Sequence, residues 1–394
     1  MDPIIILGIS LALLFNFSNG LNDAANAIAT IVATKALTPL QAVLLAGVFN
    51  LLGPLLFTTA IAATIGKGIV DPSFLTPALI LMALLGAVIW VLATSLLGIP
   101  VSSSHALIGG LLGAGIAGAG AGAVLWPSST MVAQTLTFGL VGIVLGAIVT
   151  GAFAYRKGEF KPWNLLVGGL IGLTAAIPLA IATGFLKISG ILAVVLFIFV
   201  SPTLGFIVAF VFGTAVVRTF RNYAPRRLTG TFRNLQVFSG SLQAIGHGGN
   251  DAQNAMGIIT AMLLAGGLIS EFAVPLWVIL ASSLAISTGT LLGGWRVIDK
   301  MANKITRIRP YQGFAASTSA GSVLSLMNVF GVPVSTTHAT TGSIMGVGAT
   351  RGYSAVKWGV VREILIAWFL TIPAAAIVAG ACVILARSLV SGVF

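Results

Sequence analysis

The sequence predicts an all-α, polytopic membrane protein of about 10–12 transmembrane helices, built from inverted repeats with broken helices and two re-entrant hairpins. Three observations carry that expectation. Only 7% of the 394 residues are charged and 57% are hydrophobic, whereas a soluble domain carries roughly 25% charged residues. Apolar runs of 18 residues or more recur along the whole length, each long enough to cross a hydrocarbon core of about 30 Å. Two unrelated motif pairs also return at nearly one offset. Because the apolar runs do not stop after the first, a cleaved signal peptide alone does not explain them.

In chain order, apolar segments cover 3–34, 38–65, 77–98, 134–155, 163–185, 189–217, 234–266, 272–294, 312–331 and 357–392, with shorter Gly-rich pieces at 99–122 and 332–348. Pro373 lies inside the last segment and predicts a kink or a division there. The stretch "RTFRNYAPRRLTGTFRN" from Arg218 has five arginines and no acid, and it reads as a cytoplasmic loop. A second basic stretch holds Arg296, Lys300, Lys304, Arg307 and Arg309, with Asp299 as its only acid. Two crossings between them put both on one side of the membrane. Counting back, the N-terminus starts outside.

"NGLNDAANA" from Asn19 returns as "GGNDAQNA" from Gly248, placing Asn22 and Asn250 at an offset of 228. "PVSSSHA" from Pro100 returns as "PVSTTHA" from Pro333, an offset of 233. Two motif pairs in the same order at almost the same spacing are what a duplicated half produces. The orientation count inverts one half relative to the other, a recurrent plan in secondary transporters. The expected organisation is a first repeat at 1–133, additional scaffold helices at 134–217, a basic cytoplasmic loop at 218–233 and a second, inverted repeat at 234–394.

The acids number eight, and Asp23 and Asp251 fall in the repeated motif within apolar segments. On a helix Asn22 and Asn26 are four apart and Asp23 and Asn26 three apart, so they share a face within one turn. They present a carboxylate and two amide carbonyls, a hard oxygen set suited to Na⁺. A carboxylate at membrane depth is expensive, and a bound cation offsets the cost. Asn250, Asp251 and Asn254 repeat the arrangement. Asp23, Asn26, Asp251 and Asn254 are the candidate sodium ligands. Gly20 and the "GHGG" before Asn250 lead to the expectation that both helices unwind there and lend backbone carbonyls. The alternative for the Asn residues is hydrogen-bonded packing between helices.

After Pro100 and Pro333 come three hydroxyl residues each: Ser102, Ser103 and Ser104, then Ser335, Thr336 and Thr337. Free N–H groups at a helix start together with hydroxyls make an anion site. Two facing helix starts could surround a tetrahedral oxyanion. Ordinary N-capping is the competing explanation. No Lys or Arg lies in either motif, so co-bound cations at Asp23 and Asp251 would balance the anion, which is the coupling a symporter needs. Asn22 and Asn250 join the hydroxyls as candidate anion contacts, and His105, His338 and Gln253 are supporting residues. The histidines could donate to the anion, carry protons or brace the hairpins. His247 receives no role at this level.

Several classes are excluded. The net charge of +12 reflects loop Lys and Arg, not nucleic-acid binding. There is no G-x-x-x-x-G-K-[ST] for nucleotide phosphates and no H-x-x-x-H for zinc. "GGLLGAGIAGAGAG" from Gly109 reads as close helix packing. The lone Cys382 cannot form an intrachain disulfide. No nucleophile, base and orienting group converge in sequence, so the chain is not read as an enzyme, and no organic cofactor is expected.

The four motifs "GLNDAANA", "GGNDAQNA", "PVSSSHA" and "PVSTTHA" resemble the signatures of the inorganic phosphate transporter (PiT) family, and the resemblance spans the chain. It implies an inverted-repeat importer of orthophosphate by alternating access. Such importers are typically coupled to Na⁺, with some proton-coupled, metal-phosphate or sulfate-carrying relatives. It also implies a multi-pass protein of a bacterial or archaeal cytoplasmic (plasma) membrane, acting as a homodimer in the lipid bilayer. An anion channel is the alternative of another class. Two departures stand out. Asn50 occupies a region where some members carry Glu, and "GFAASTSAG" from Gly313 has no acid.

Overall fold

The computed structural model describes residues 2–188, 190–223 and 225–389. Among them are fourteen α-helices: α1 (Pro3–Ala33), α2 (Pro39–Leu56), α3 (Ala60–Lys67), α4 (Pro77–Leu97), α5 (Ser103–Ala119), α6 (Ser129–Arg156), α7 (Pro162–Ala182), α8 (Gly190–Phe220), α9 (Pro225–Ala265), α10 (Leu276–Leu292), α11 (Trp295–Asp299), α12 (Pro310–Val329), α13 (Thr336–Ala349) and α14 (Trp358–Leu389). The described residues hold no strand, only an isolated bridge between Val70 and Val124. The chain is therefore a polytopic all-α membrane protein.

The boundaries follow local chemistry. Asp2, Thr38, Thr76, Ser102, Ser128 and Ser335 each accept a backbone N–H at a helix start, satisfying donors that have no partner within the helix. Gly98 ends α4 in the left-handed region at φ 68°, and Pro100 blocks continuation. This produces the tight α4–α5 hairpin.

Seven helices, α1, α2, α4, α6, α7, α8 and α14, are long and apolar enough to cross a membrane, and the bent pair α10–α11 makes an eighth. The shortfall against the expected count has a physical cause. At about 1.5 Å per residue, α5 and α13, with 17 and 14 residues, are too short to span, as re-entrant arms would be. Helix α9 is long enough at 41 residues, but His247, Asn250, Asp251 and Asn254 interrupt its apolar face. These side chains are buried, so mean hydropathy understates the helix.

Two expectations are corrected, and one of two alternatives is removed at a third place. Helices α1 and α9 run unbroken through both N-D motifs; the breaks lie between α2 and α3, at the 66° bend between α10 and α11, and at the hairpin tips. The glycines serve contact rather than unwinding. A Cβ on Gly20 would stand 2.0 Å from the Ile286 carbonyl oxygen, and one on Gly248 would stand 2.3 Å from that of Asn50. Residues 218–233 are not a loop: α8 continues to Phe220, a turn follows, and α9 starts at Pro225, with Ala224 outside the described residues. Helix α14 passes Pro373 without dividing; its last described residue is Leu389, and 390–392 of the predicted segment fall outside the described residues.

The packing is paired. Helix α1 crosses α10 at Gly20 and Gly289, and α9 crosses α2 at Gly248 and Gly53. Helix α5 meets α14 through Gly109 and Gly113, facing the carbonyls of Ile372 and Ala376, while α13 meets α8 through Gly342 and Gly346, facing those of Pro202 and Phe206. Helix α8 thus does for the second hairpin what α14 does for the first. Helices α6 and α7 pack chiefly on each other and expose Leu140, Leu145 and Phe153.

Candidate anion and cation site

The two N-D motifs meet at the centre, between the tips of the α4–α5 and α12–α13 hairpins. One ligand atom each from Asp23, His247 and Asp251 lie within 4.8 Å of one another. All three side chains are buried, the aspartates at 2% and 1% exposure.

Both hairpin tips reach both motifs. Ser103 Oγ donates to Asp23 Oδ2 at 2.9 Å, and Thr336 Oγ1 donates to Asp251 Oδ2 at the same distance. Across the halves, Asn26 Nδ2 donates to Thr337 Oγ1 at 3.0 Å, and Asn254 Nδ2 donates to Ser104 Oγ at 2.8 Å. Asp23 Oδ1 accepts two further bonds, from Asn22 Nδ2 at 2.8 Å and Thr337 Oγ1 at 3.1 Å. Asp251 Oδ1 and Asn26 Oδ1 have no protein partner, nor do Asn19 Nδ2 and Asn250 Nδ2. Unpaired buried polar atoms are costly. The two oxygens suit a cation, and the two N–H donors suit an anion.

The remaining predicted residues sit around this centre. Ser102 and Ser335 are N-caps, their oxygens accepting the backbone N–H of His105 and His338 at 3.3 Å each. Asn22 also donates to the Val101 carbonyl at 3.1 Å and accepts from Ser95 at 2.9 Å. Gln253 turns away from the centre, joining the Ala62 N–H to the Gly249 carbonyl and so fixing α3 to α9. The His105 and His338 rings meet edge to face at 4.9 Å behind the tips. His338 stacks on Trp368 at 3.7 Å, and the Trp368 indole donates to the Pro100 carbonyl at 3.2 Å. These residues brace the two hairpins against α14.

The side chains of the centre are buried. The open cavities lie elsewhere, one of about 440 Å³ among the ends of α8, α9 and α12 and others along α6–α7 and α8–α14. None of these three is lined by either carboxylate.

With this geometry in view, the comparisons decide the family. The phosphate transporter family model matches residues 19–162 and 163–379. The chain belongs to the phosphate transporter family. It is 41% identical over 381 residues, covering 96% of each chain, to a "Probable low-affinity inorganic phosphate transporter" of Rhizobium meliloti. A protein of the same description from Bacillus subtilis is 37% identical, covering 95% of this chain and 96% of its own. A solved structure titled "The sodium-dependent phosphate transporter" superposes with a TM-score of 0.70 at 26% identity, covering 99% of this chain and 100% of that one.

Several residues of this phosphate transporter were not singled out from sequence. His247 Nε2 lies 3.2 Å from Asp251 Oδ2, an ion-pair distance without hydrogen-bond alignment. Its Nδ1 lies 3.0 Å from Asn50 Oδ1, and Asn50 Nδ2 donates to Thr290 at 2.9 Å. Thr290 in turn donates to the carbonyls of Gly20 and Ile286. That chain orients the Asn50 amide and puts the His247 proton on Nδ1, so Nε2 faces the carboxylate. The i, i+4 spacing of His247 and Asp251 is visible in sequence. The contacts of Asn50, Ser95 and Asn19 are not, since their partners come from other helices.

Proposed function

We propose that the chain imports inorganic phosphate by Na⁺-coupled symport, with the central site exposed alternately to each side. The observation that carries the proposal is the pairing of two buried carboxylates with hydroxyls from both hairpin tips, in a site without Lys or Arg. Two carboxylates this close repel an anion and each other in a low dielectric. A cation accepted by Asp23, Asp251, Asn26 and Asn254 removes that repulsion. The Asn19 and Asn250 amides, the Ser104 hydroxyl and the N–H groups opening α5 and α13 then supply donors to a tetrahedral anion, joined by the Ser103, Thr336 and Thr337 hydroxyls as they turn from carboxylates that the cation has neutralised. Each ion lowers the cost of binding the other, which is the thermodynamic content of coupling. The paired crossings support alternating access, since each hairpin rides on its own long helix, α14 or α8. The proposal includes residence in a bacterial or archaeal cytoplasmic membrane with the N-terminus outside, and the homodimer implied by the family resemblance.

A second reading, proton coupling, is favoured by one observation: with Nδ1 protonated toward Asn50, a proton between His247 Nε2 and Asp251 would neutralise the carboxylate in place of Na⁺. Phosphate uptake into proteoliposomes under a Na⁺ gradient alone and a pH gradient alone separates the two. The Na⁺ gradient is expected to drive accumulation; uptake indifferent to Na⁺ removes the sodium version.

A further inference from the structure

We propose that the cavity at the joined ends of α8, α9 and α12 binds the headgroup of an anionic phospholipid. It measures about 440 Å³, within the usual range for a small-molecule site. Its lining is largely apolar, with Val217, Leu228 and Phe232, and includes Arg221 and Arg309 beside Tyr223 and Tyr311. No Asp or Glu lines it, and the ion pairs among the described residues all lie elsewhere. Two guanidinium groups without carboxylate partners, set in a largely apolar lining, match a phosphodiester carried on a glycerol backbone. Arginine forks pair with phosphate oxygens two at a time.

Position argues for a lipid over a free anion. The apolar run of α8 gives way to charge at Arg218, and α12 opens at Pro310 directly after Arg307 and Arg309, so the cavity sits where hydrocarbon meets water. Its rings form a continuous set, Phe220 with Tyr223 at 5.8 Å, Phe220 with Phe232 at 5.3 Å and Phe232 with Tyr311 at 6.3 Å, the amphipathic composition of a headgroup belt. Further into the apolar runs, Val211 on α8 and Phe238 on α9 are exposed, apolar surface on the same two helices for acyl chains. Basic pockets between transmembrane helices hold anionic headgroups by this combination.

The test is native mass spectrometry of the full-length protein with phosphatidylglycerol or phosphatidylcholine, which reads lipid binding independently of transport. Phosphatidylglycerol is expected to bind at least about tenfold more tightly, and Arg221→Gln with Arg309→Gln to weaken it about 10- to 30-fold. Arg156→Gln, at the exposed far end of α6, should leave it within about twofold. Val217→Trp keeps both guanidinium groups and fills the cavity, so it separates a lost site from a misfolded double variant; it too should weaken phosphatidylglycerol binding. Equal binding of the two lipids, an unaffected double variant, an unaffected Val217→Trp, or an equal loss in Arg156→Gln would overturn the proposal. Displacement of phosphatidylglycerol by millimolar inorganic phosphate would likewise overturn it, showing a free-anion site.

Discussion

Asn19 in the first half and His247 in the second occupy equivalent places, at the offset that also relates Asp23 to Asp251. Around them the halves agree closely. Ser103 donates to Asp23 as Thr336 donates to Asp251, and Asn26 reaches Thr337 as Asn254 reaches Ser104. At this one position they differ. Asn19 accepts a short hydrogen bond from Ser103, whereas His247 approaches Asp251 directly. Asp23 thus draws its support from neutral donors, including Asn22 and Thr337. Asp251 leans on an imidazole and keeps one oxygen without a protein partner. The repeated motifs build a symmetric cage, and one difference between them makes its two carboxylates chemically different.

The comparison breaks most visibly at the carboxylates. Asp23→Asn and Asp251→Asn each remove a buried charge, worth about 2–5 kcal/mol in coupled ion binding. Phosphate binding to the purified protein should fall about 30-fold or more in each, with Na⁺ dependence lost; binding retained in either would confine the ion site to the other half. Next comes His247→Asn, which makes the second half resemble the first. It should cost about 1–3 kcal/mol, because the buried Asn50 Oδ1 loses its imidazole partner, seen as lower phosphate uptake into proteoliposomes. Asn19→His should not restore it, because Asn50 has no equivalent beside the first motif: Ile286 lies against Gly20 where Asn50 lies against Gly248.

Smaller effects test the frame. Gly20→Ala and Gly248→Ala push a Cβ into a neighbouring carbonyl in each half, and each should destabilise by about 1–3 kcal/mol. Thermal unfolding in detergent reads this. Gly230→Ala, with open space around it, serves as the neutral reference. The smallest effect is expected from Trp368→Phe, which keeps the stack on His338 but loses the hydrogen bond to Pro100, about 0.5–1.5 kcal/mol. A loss confined to unfolding temperature, with uptake intact, would mark this contact as bracing alone.

Much of this was legible in the chain itself. Apolar runs located α1, α4, α6, α7, α8, α10 and α14 to within a few residues, because lipid forces each span to satisfy its own backbone. The motifs singled out both N-D clusters and both hydroxyl runs because their spacing is local. The unwinding expected at Gly20 and Gly248 was misplaced. Glycine before a polar cluster suits a break and a close helix crossing equally well, and only the partner helix distinguishes them. His247 went unassigned for the same reason: its meaning depends on Asn50, 197 residues away.

The sequence by itself determined that the chain must live in lipid, that two motif pairs recur in one order, and that each copy carries one acid and one run of hydroxyls after a proline. These follow from composition and spacing, which need no knowledge of neighbours. Only the tertiary structure decided that each hydroxyl run reaches both N-D motifs, that α14 and α8 each pack along one hairpin, and that His247 singles out one carboxylate. Those are contacts between residues far apart in the chain, and shape complementarity between helices sets them where periodicity along a single helix cannot.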